Sequence, residues 1–270
     1  MRIVLNADDF GGSPDTVEAT IECFERGALT SATIMPNMPA TERAVEFAVA
    51  HREFSFGVHL TLTGDGHERP LSSPEEIPGL VGADGRFLST RVVRVRAVTR
   101  RLSVEEIGRE VEAQIEHLRG RRILVSHVDS HRHLHKLAPF RAALRHVLPR
   151  LGIRRVRRVQ DVWVRRPLLR PTYWWGPRWQ RALADAFVTT DHFYMPSSSG
   201  DVDWEVPLLA RVRRLPGRTL EVGIHPGTGE QWRAGEQRSL VEFARRAREA
   251  GYELVSWTAI GELDRRKTAP

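Results

Sequence analysis

A chain of 270 residues that is 41% hydrophobic can fill one large core, and α/β barrels use this length as a single domain, so one domain is expected over residues 1–263 with a flexible tail at 264–270. The formal net charge of +7 would suggest nucleic acid or an anionic surface, but Lys136 and Lys267 are the only lysines, and an arginine bias of this kind also arises from base composition alone; no nucleic-acid partner is expected. The single cysteine, Cys23, excludes an internal disulfide, no apolar run is long enough to cross a membrane, and "MRIVLNADDFGG" turns polar too early for a secretory signal, which makes the cytoplasm the expected location.

Strand and helix signals alternate along most of the chain. "RIVLNA" reads as a first strand, and Ser13-Pro14 opens a helix that stops at Gly27. "SATIMP" is a second strand, "ATERAVEFAVAHR" a helix and "FSFGVHLTL" a third strand. The segment from Thr63 to Leu102 is too long for an ordinary turn and reads as a functional or mobile loop. Ser103 and Glu106 form a capping-box pattern ahead of the helix "VEEIGREVEAQIEHLRG", and "RILVSHVD" is a fourth strand. A helix over 139–148 and a fifth strand "IRRVRRVQ" follow. Order loosens across a tryptophan-rich stretch, then "TLEVGIHPG", the helix "QRSLVEFARRAREAG" and a last strand "YELVSW" complete the pattern. Such alternation implies a mainly parallel sheet covered by helices, closed or open. No glycine-rich phosphate loop follows the first strand, since "NADDFGGSPD" places acids there, and this favours a barrel with its site at the C-terminal strand ends.

The polar residues fall at those ends. The first strand delivers Asp8 and Asp9, the third His59, the fourth the run "SHVDSHRHLH" with His127, Asp129 and His131, and the late strand His225. Along an extended chain His127, Asp129 and His131 share a face. A solvated histidine-rich turn explains any one of them. Four strand ends carrying acids and imidazoles are harder to reconcile with core packing, because buried polar groups need partners or ligation. A catalytic divalent ion takes about three protein ligands, and a spare carboxylate and histidine beside it suit acid and base roles. Adjacent acids such as Asp8 and Asp9 can divide the work, one ligating and one facing substrate.

Together, "NADDFG", "GVHLTL", "HVDSHRHLH" and "GIHPG", in this order, resemble the YdjC-type carbohydrate deacetylases, a family that includes chitooligosaccharide deacetylases and a hopanoid-associated branch. The resemblance covers nearly the whole chain and implies a TIM-like (β/α) barrel, incomplete or distorted. It implies Asp9, His59 and His131 as ligands of one divalent metal ion (Mg or Zn), Asp8 as general base, and His225 as an acid or substrate contact. His127 and Asp129 are then supports for the ligands, and His133 and His135 are rim or helix-start residues without a catalytic role. The implied reaction removes an N-acetyl group from an amino sugar or N-acetylglucosamine conjugate, releasing acetate and an amine.

Residues 154–181 mix arginine with Trp163, Trp174, Trp175 and Trp179, and read as a solvated strand and decorated loop or as a substrate lip, with Trp174 and Trp175 as candidate sugar contacts. Two other readings stand beside the deacetylase: a metal-dependent phosphoesterase or other amidohydrolase, for which two ions would be characteristic, and a basic protein binding nucleic acid or an anionic surface, for which steep salt dependence would be. A homo-oligomer is compatible with all three.

Overall fold

The computed structural model describes residues 1–64, 68–165, 167–196 and 203–261; the expected tail, 264–270, lies outside them. Strands β1 (Arg2–Phe10), β2 (Ser31–Ile34), β3 (Ser55–Leu60), β4 (Val125–Ser130), β5 (His192–Tyr194), β6 (Thr219–Ile224) and the short β7 (Glu253–Leu254) form one sheet in the order β4-β3-β2-β1-β6-β5, with β7 beside the start of β1. All pairings between these strands are parallel. The sheet curls into an incomplete (β/α) barrel with the helices outside: α1 (Pro14–Glu25), α2 (Thr41–Ala50), α3 (Thr90–Val98), α4 (Val104–Gly120), α5 (Ala138–Val147), α6 (Pro171–Ala184), α7 (Glu205–Val212) and α8 (Gln231–Glu249).

The expected fifth strand, "IRRVRRVQ", is not a continuous ladder. It makes isolated bridges, Val156 to Val128 on one side and Arg155 to Val188 on the other, and the amides of Asp161 and Val162 donate to the Phe193 carbonyl. Residues 154–162 thus span the gap between the edge strands β4 and β5. The last strand is also shorter than "YELVSW" suggests: Glu253 and Leu254 pair with Arg2 and Ile3 of β1, and the Val255 amide adds one bond to the Ile3 carbonyl.

Helix starts follow the local chemistry. Ser13 Oγ accepts from the Thr16 amide at 3.2 Å, with Pro14 in the first turn. Ser103 Oγ accepts from the Glu106 amide at 3.2 Å, but Glu106 does not return the bond; its carboxylate accepts from the Gly79 amide at 2.6 Å and pins the long loop instead. That loop contains α3, and the tryptophan-rich stretch is helix α6, begun at Pro171.

Two register features place the site. Asp9 has φ 57°, and the β1–β2 register shifts between Ala7 and Phe10. Successive strand residues ordinarily point to opposite faces, so a bulge at the end of β1 re-aims one of them, and Asp8 and Asp9 both line the same cleft. In β3 and β4, His59 is the register partner of Asp129, which puts their side chains in contact.

Candidate active site

A cleft of about 1010 Å³ opens at the C-terminal edge of the barrel, and Asp8, Asp9, His59, His131 and His225 all line it. Three of them converge. Asp9 Oδ1 lies 3.3 Å from His59 Nε2 and 3.1 Å from His131 Nδ1. His59 is fixed from behind by its Nδ1, 2.8 Å from Asp129 Oδ1, and Thr33 Oγ1 donates to Asp129 Oδ2 at 3.1 Å. A carboxylate holding the far nitrogen of a histidine sets its tautomer and turns the near nitrogen towards an ion. Asp9, His59 and His131 therefore fit a divalent cation by donor type, mutual distance and support.

The electrostatics agree. His59 is pushed up to about 10: burial lowers it, but Asp129, then Asp9 and Asp8, outweigh burial. Asp9 is held well below the carboxylate range, its burial overcome by hydrogen bonds from His131 and His59.

Behind these residues stands a group that sequence reading placed in solvent. Arg157 is fully buried inside the barrel. Its guanidinium lies 2.5 Å from Asp8 Oδ2, 2.7 Å from Asp8 Oδ1, 2.5 Å from Asp129 Oδ2 and 2.7 Å from Glu221 Oε1, with the Phe193 ring 4.8 Å away. Asp8, His59 and Asp129 also lie within ligating distance of one another, but Arg157 bonds both carboxylates and already supplies the positive charge there. Burial raises the Asp8 pKa, and Arg157 followed by His59 more than reverses this, so Asp8 stays ionised below the usual carboxylate range. Burial pushes Glu221 up to about 7 against the pull of Arg157.

His225 is backed by Glu236: Glu236 Oε2 is 3.1 Å from His225 Nδ1 and accepts from the His225 amide at 2.8 Å. Burial lowers the His225 pKa, but Glu236, then Asp9 and Asp8, outweigh it and the net shift is upward. Arg233, in the first turn of α8, reaches Asp9 Oδ2 at 2.9 Å. Gly227 makes room for it, since a Cβ there would lie 2.8 Å from Arg233 Cδ.

His127 departs from expectation. It shares a strand face with Asp129, but its Nδ1 pairs with Ser126 Oγ at 2.9 Å and its ring stacks on Trp257 at 4.6 Å. Neither contact reaches Asp9, His59 or His131, so the ring backs the barrel floor rather than the centre. Two residues along a strand is a step of about 7 Å, enough to put it one layer deeper. His133 and His135 line the cleft wall; burial, then Lys136 for the first and Arg157 for the second, holds both well below the usual histidine range. Trp175 lines the cleft, as do Trp163 and Trp179, whereas Trp174 lies outside it with its Nε1 donating to the Leu168 carbonyl at 2.8 Å. Lys136 Nζ bonds Thr172 Oγ1 at 2.8 Å, tying α6 to the turn that carries His131.

Arg157, Arg233, Glu221 and Glu236 were missed from sequence. Only Glu221 left a trace, as an acid in the middle of the apolar strand "TLEVGI", where burial demands a partner.

An incomplete parallel barrel with an Asp/His/His cluster at its C-terminal strand edge defines an α/β-barrel protein whose centre has the donors for a divalent ion. Comparison narrows this: the chain belongs to the YdjC-like protein family, whose profile matches residues 2–257. It is 36% identical over 162 residues to "Carbohydrate deacetylase 1" of Listeria innocua, covering 60% of this chain and 62% of that protein. It is 39% identical over 133 residues to "Carbohydrate deacetylase" of Geobacillus stearothermophilus, covering 49% and 50%. These matches thus span between half and two thirds of the relatives' length. In fold, the chain superposes with a TM-score of 0.79 on a "putative cellobiose-phosphate cleavage protein" from Enterococcus faecalis, at 23% identity and covering 95% of this chain and 97% of that one. Among the described residues no helix is long and apolar enough to cross a membrane.

Proposed function

We propose that this protein is a carbohydrate N-deacetylase dependent on one divalent cation, acting on an amino sugar or an N-acetylglucosamine conjugate. The observation that carries the reading is the Asp9/His59/His131 cluster flanked in one cleft by a buried carboxylate, Asp8, and a carboxylate-backed histidine, His225. Relatives in the family bear the name carbohydrate deacetylase, which supports a sugar substrate. Two imidazoles and one carboxylate suit zinc better than magnesium.

When bound, the cation supplies a Lewis acid for the acetamide carbonyl and acidifies water. Asp8 is the carboxylate that accepts the proton from attacking water; Arg157 keeps it ionised and fixes its orientation. His225, held through Nδ1 by Glu236, has Nε2 available to protonate the departing nitrogen. The carbonyl carbon gains oxygen from water, the C–N bond breaks, and acetate and an amine leave. Trp175 in the cleft wall offers a face for a sugar ring. Arg157, seated between Asp8 and Asp129, disfavours the second ion that a two-metal phosphoesterase would use.

The test is acetate release from a panel of N-acetylated sugars and conjugates by protein loaded with Zn, Mg or Mn. Metal-dependent acetate release supports the reading. Metal-loaded protein that releases no acetate from any member, while cleaving phosphoesters, replaces it.

A further inference from the structure

The mouth of the cleft carries a surface that catalysis does not explain. Residues 86–104 contain Arg86, Arg91, Arg94, Arg96, Arg100 and Arg101 and no acid, and residues 162–184 contain Arg165, Arg166, Arg170, Arg178 and Arg181 and no acid. With these eleven set aside, the rest of the chain has 30 cationic against 34 acidic residues, so the positive balance of the protein resides in two short segments. The fold brings those segments together: Arg94 and Val98 of α3 line the same cleft as Trp163, Arg170 and Trp175 from the α6 side.

Apolar side chains stand out on the same two segments. Leu169 is 99% exposed and Val98 78%, and Val95, Leu168, Trp174 and Trp175 are exposed as well. The α6 knob is built rather than loose. Trp174 Nε1 donates to the Leu168 carbonyl, and the Tyr173 ring lies 5.2 Å from Trp174 and 6.3 Å from Trp163. Because the one polar group of Trp174 is already satisfied, its ring can enter hydrocarbon without stranding a donor. Exposed aliphatics beside arginine and tryptophan are the composition that seats a surface in the headgroup region of an anionic membrane. Nucleic acid would reward the arginines and the stacking rings, but it offers nothing to Leu168, Leu169 or Val98.

We propose that the cleft mouth, formed by α3, residues 163–165 and residues 167–175 up to and into the first turns of α6, docks on an anionic lipid surface, with the arginines meeting headgroups and Leu168, Leu169 and Trp174 entering the acyl boundary. This goes beyond the deacetylase reading and does not depend on it, because the assay below measures binding to lipid and not turnover.

The full chain is sedimented with phosphatidylcholine vesicles and with phosphatidylcholine vesicles containing phosphatidylglycerol. Binding is expected to the second only, to weaken as salt rises, and to be accompanied by quenching of tryptophan emission by brominated acyl chains. Leu168→Ser with Leu169→Ser, both at exposed positions, should leave the melting temperature unchanged while lowering the partition coefficient about tenfold or more and reducing the quenching. Equal binding to both vesicle types, binding to neither, an unaltered partition coefficient in the double variant, or salt-sensitive binding of single-stranded DNA without vesicle binding would each overturn the proposal. So would a dimer in solution that the double variant dissociates.

Discussion

Replacing Arg157 by methionine keeps most of the side-chain volume and deletes the charge at the centre of the barrel. Asp8, Asp129 and Glu221 would then share a fully buried space without the guanidinium that contacts all three. Removing one partner of a buried ion pair costs about 3–5 kcal/mol, because the desolvation of the remaining charge is no longer offset. Part of this is relieved by protonation of Glu221, already pushed up to about 7, and Asp129 keeps its bond to His59, so the lower half of that range is expected. A domain of this size loses about 2–4 °C of melting temperature per kcal/mol, which puts the fall on the order of 10 °C at neutral pH. The deficit should narrow as pH falls towards 5, because the uncompensated carboxylates then take up protons in the folded state. Thermal melts followed by circular dichroism at several pH values, with Arg157→Lys as a charge-preserving control, measure this directly. An Arg157→Met protein melting within a degree or two of the parent at pH 7, or a deficit that does not change with pH, would refute the argument that this arginine neutralises the barrel interior.

Asp9→Asn, His59→Ala and His131→Ala should each lose bound divalent metal by elemental analysis, whereas Asp8→Asn should keep it and lose turnover by about a hundredfold or more; full metal content in the first three would remove the centre from these residues. Glu236→Gln should lower the pKa of His225, since Glu236 is the foremost of the groups that raise it against burial, and this is read as a downward shift of the imidazole titration by NMR. Metal-free protein should lose stability with rising pH. His59 has a folded pKa of about 10 against an ordinary 6.5, so its stabilisation is complete below about 6.5 and disappears as pH passes 10; metal-loaded protein and His59→Asn should both show a flatter profile between those values.

Much of the site was legible because its signals are local. Alternating strands and helices, capping serines, and acids or histidines at strand ends are properties of a few neighbouring residues, and they place Asp8, Asp9, His59, Asp129, His131 and His225 at or just past the ends of expected strands. Where the sequence misled, the deciding interaction was remote. "RRVRRVQ" has the composition of a solvated strand, and only its insertion between β4 and β5 turns Arg157 inward while Arg158 remains nearer the surface. Pro177 and the crowded tryptophans masked the helical pattern of α6. His127 and Asp129 have the same strand parity, so pattern alone gave them one face; depth along the barrel axis separated them, one against Trp257 and the other against His59. Residue type and strand position by themselves gathered the acids and histidines at one edge of the sheet. Which charge neutralises which is a matter of three-dimensional distance in a low-dielectric interior, and for Asp9 and Arg233, 224 positions apart in the chain, only the closure of the tertiary structure decides it.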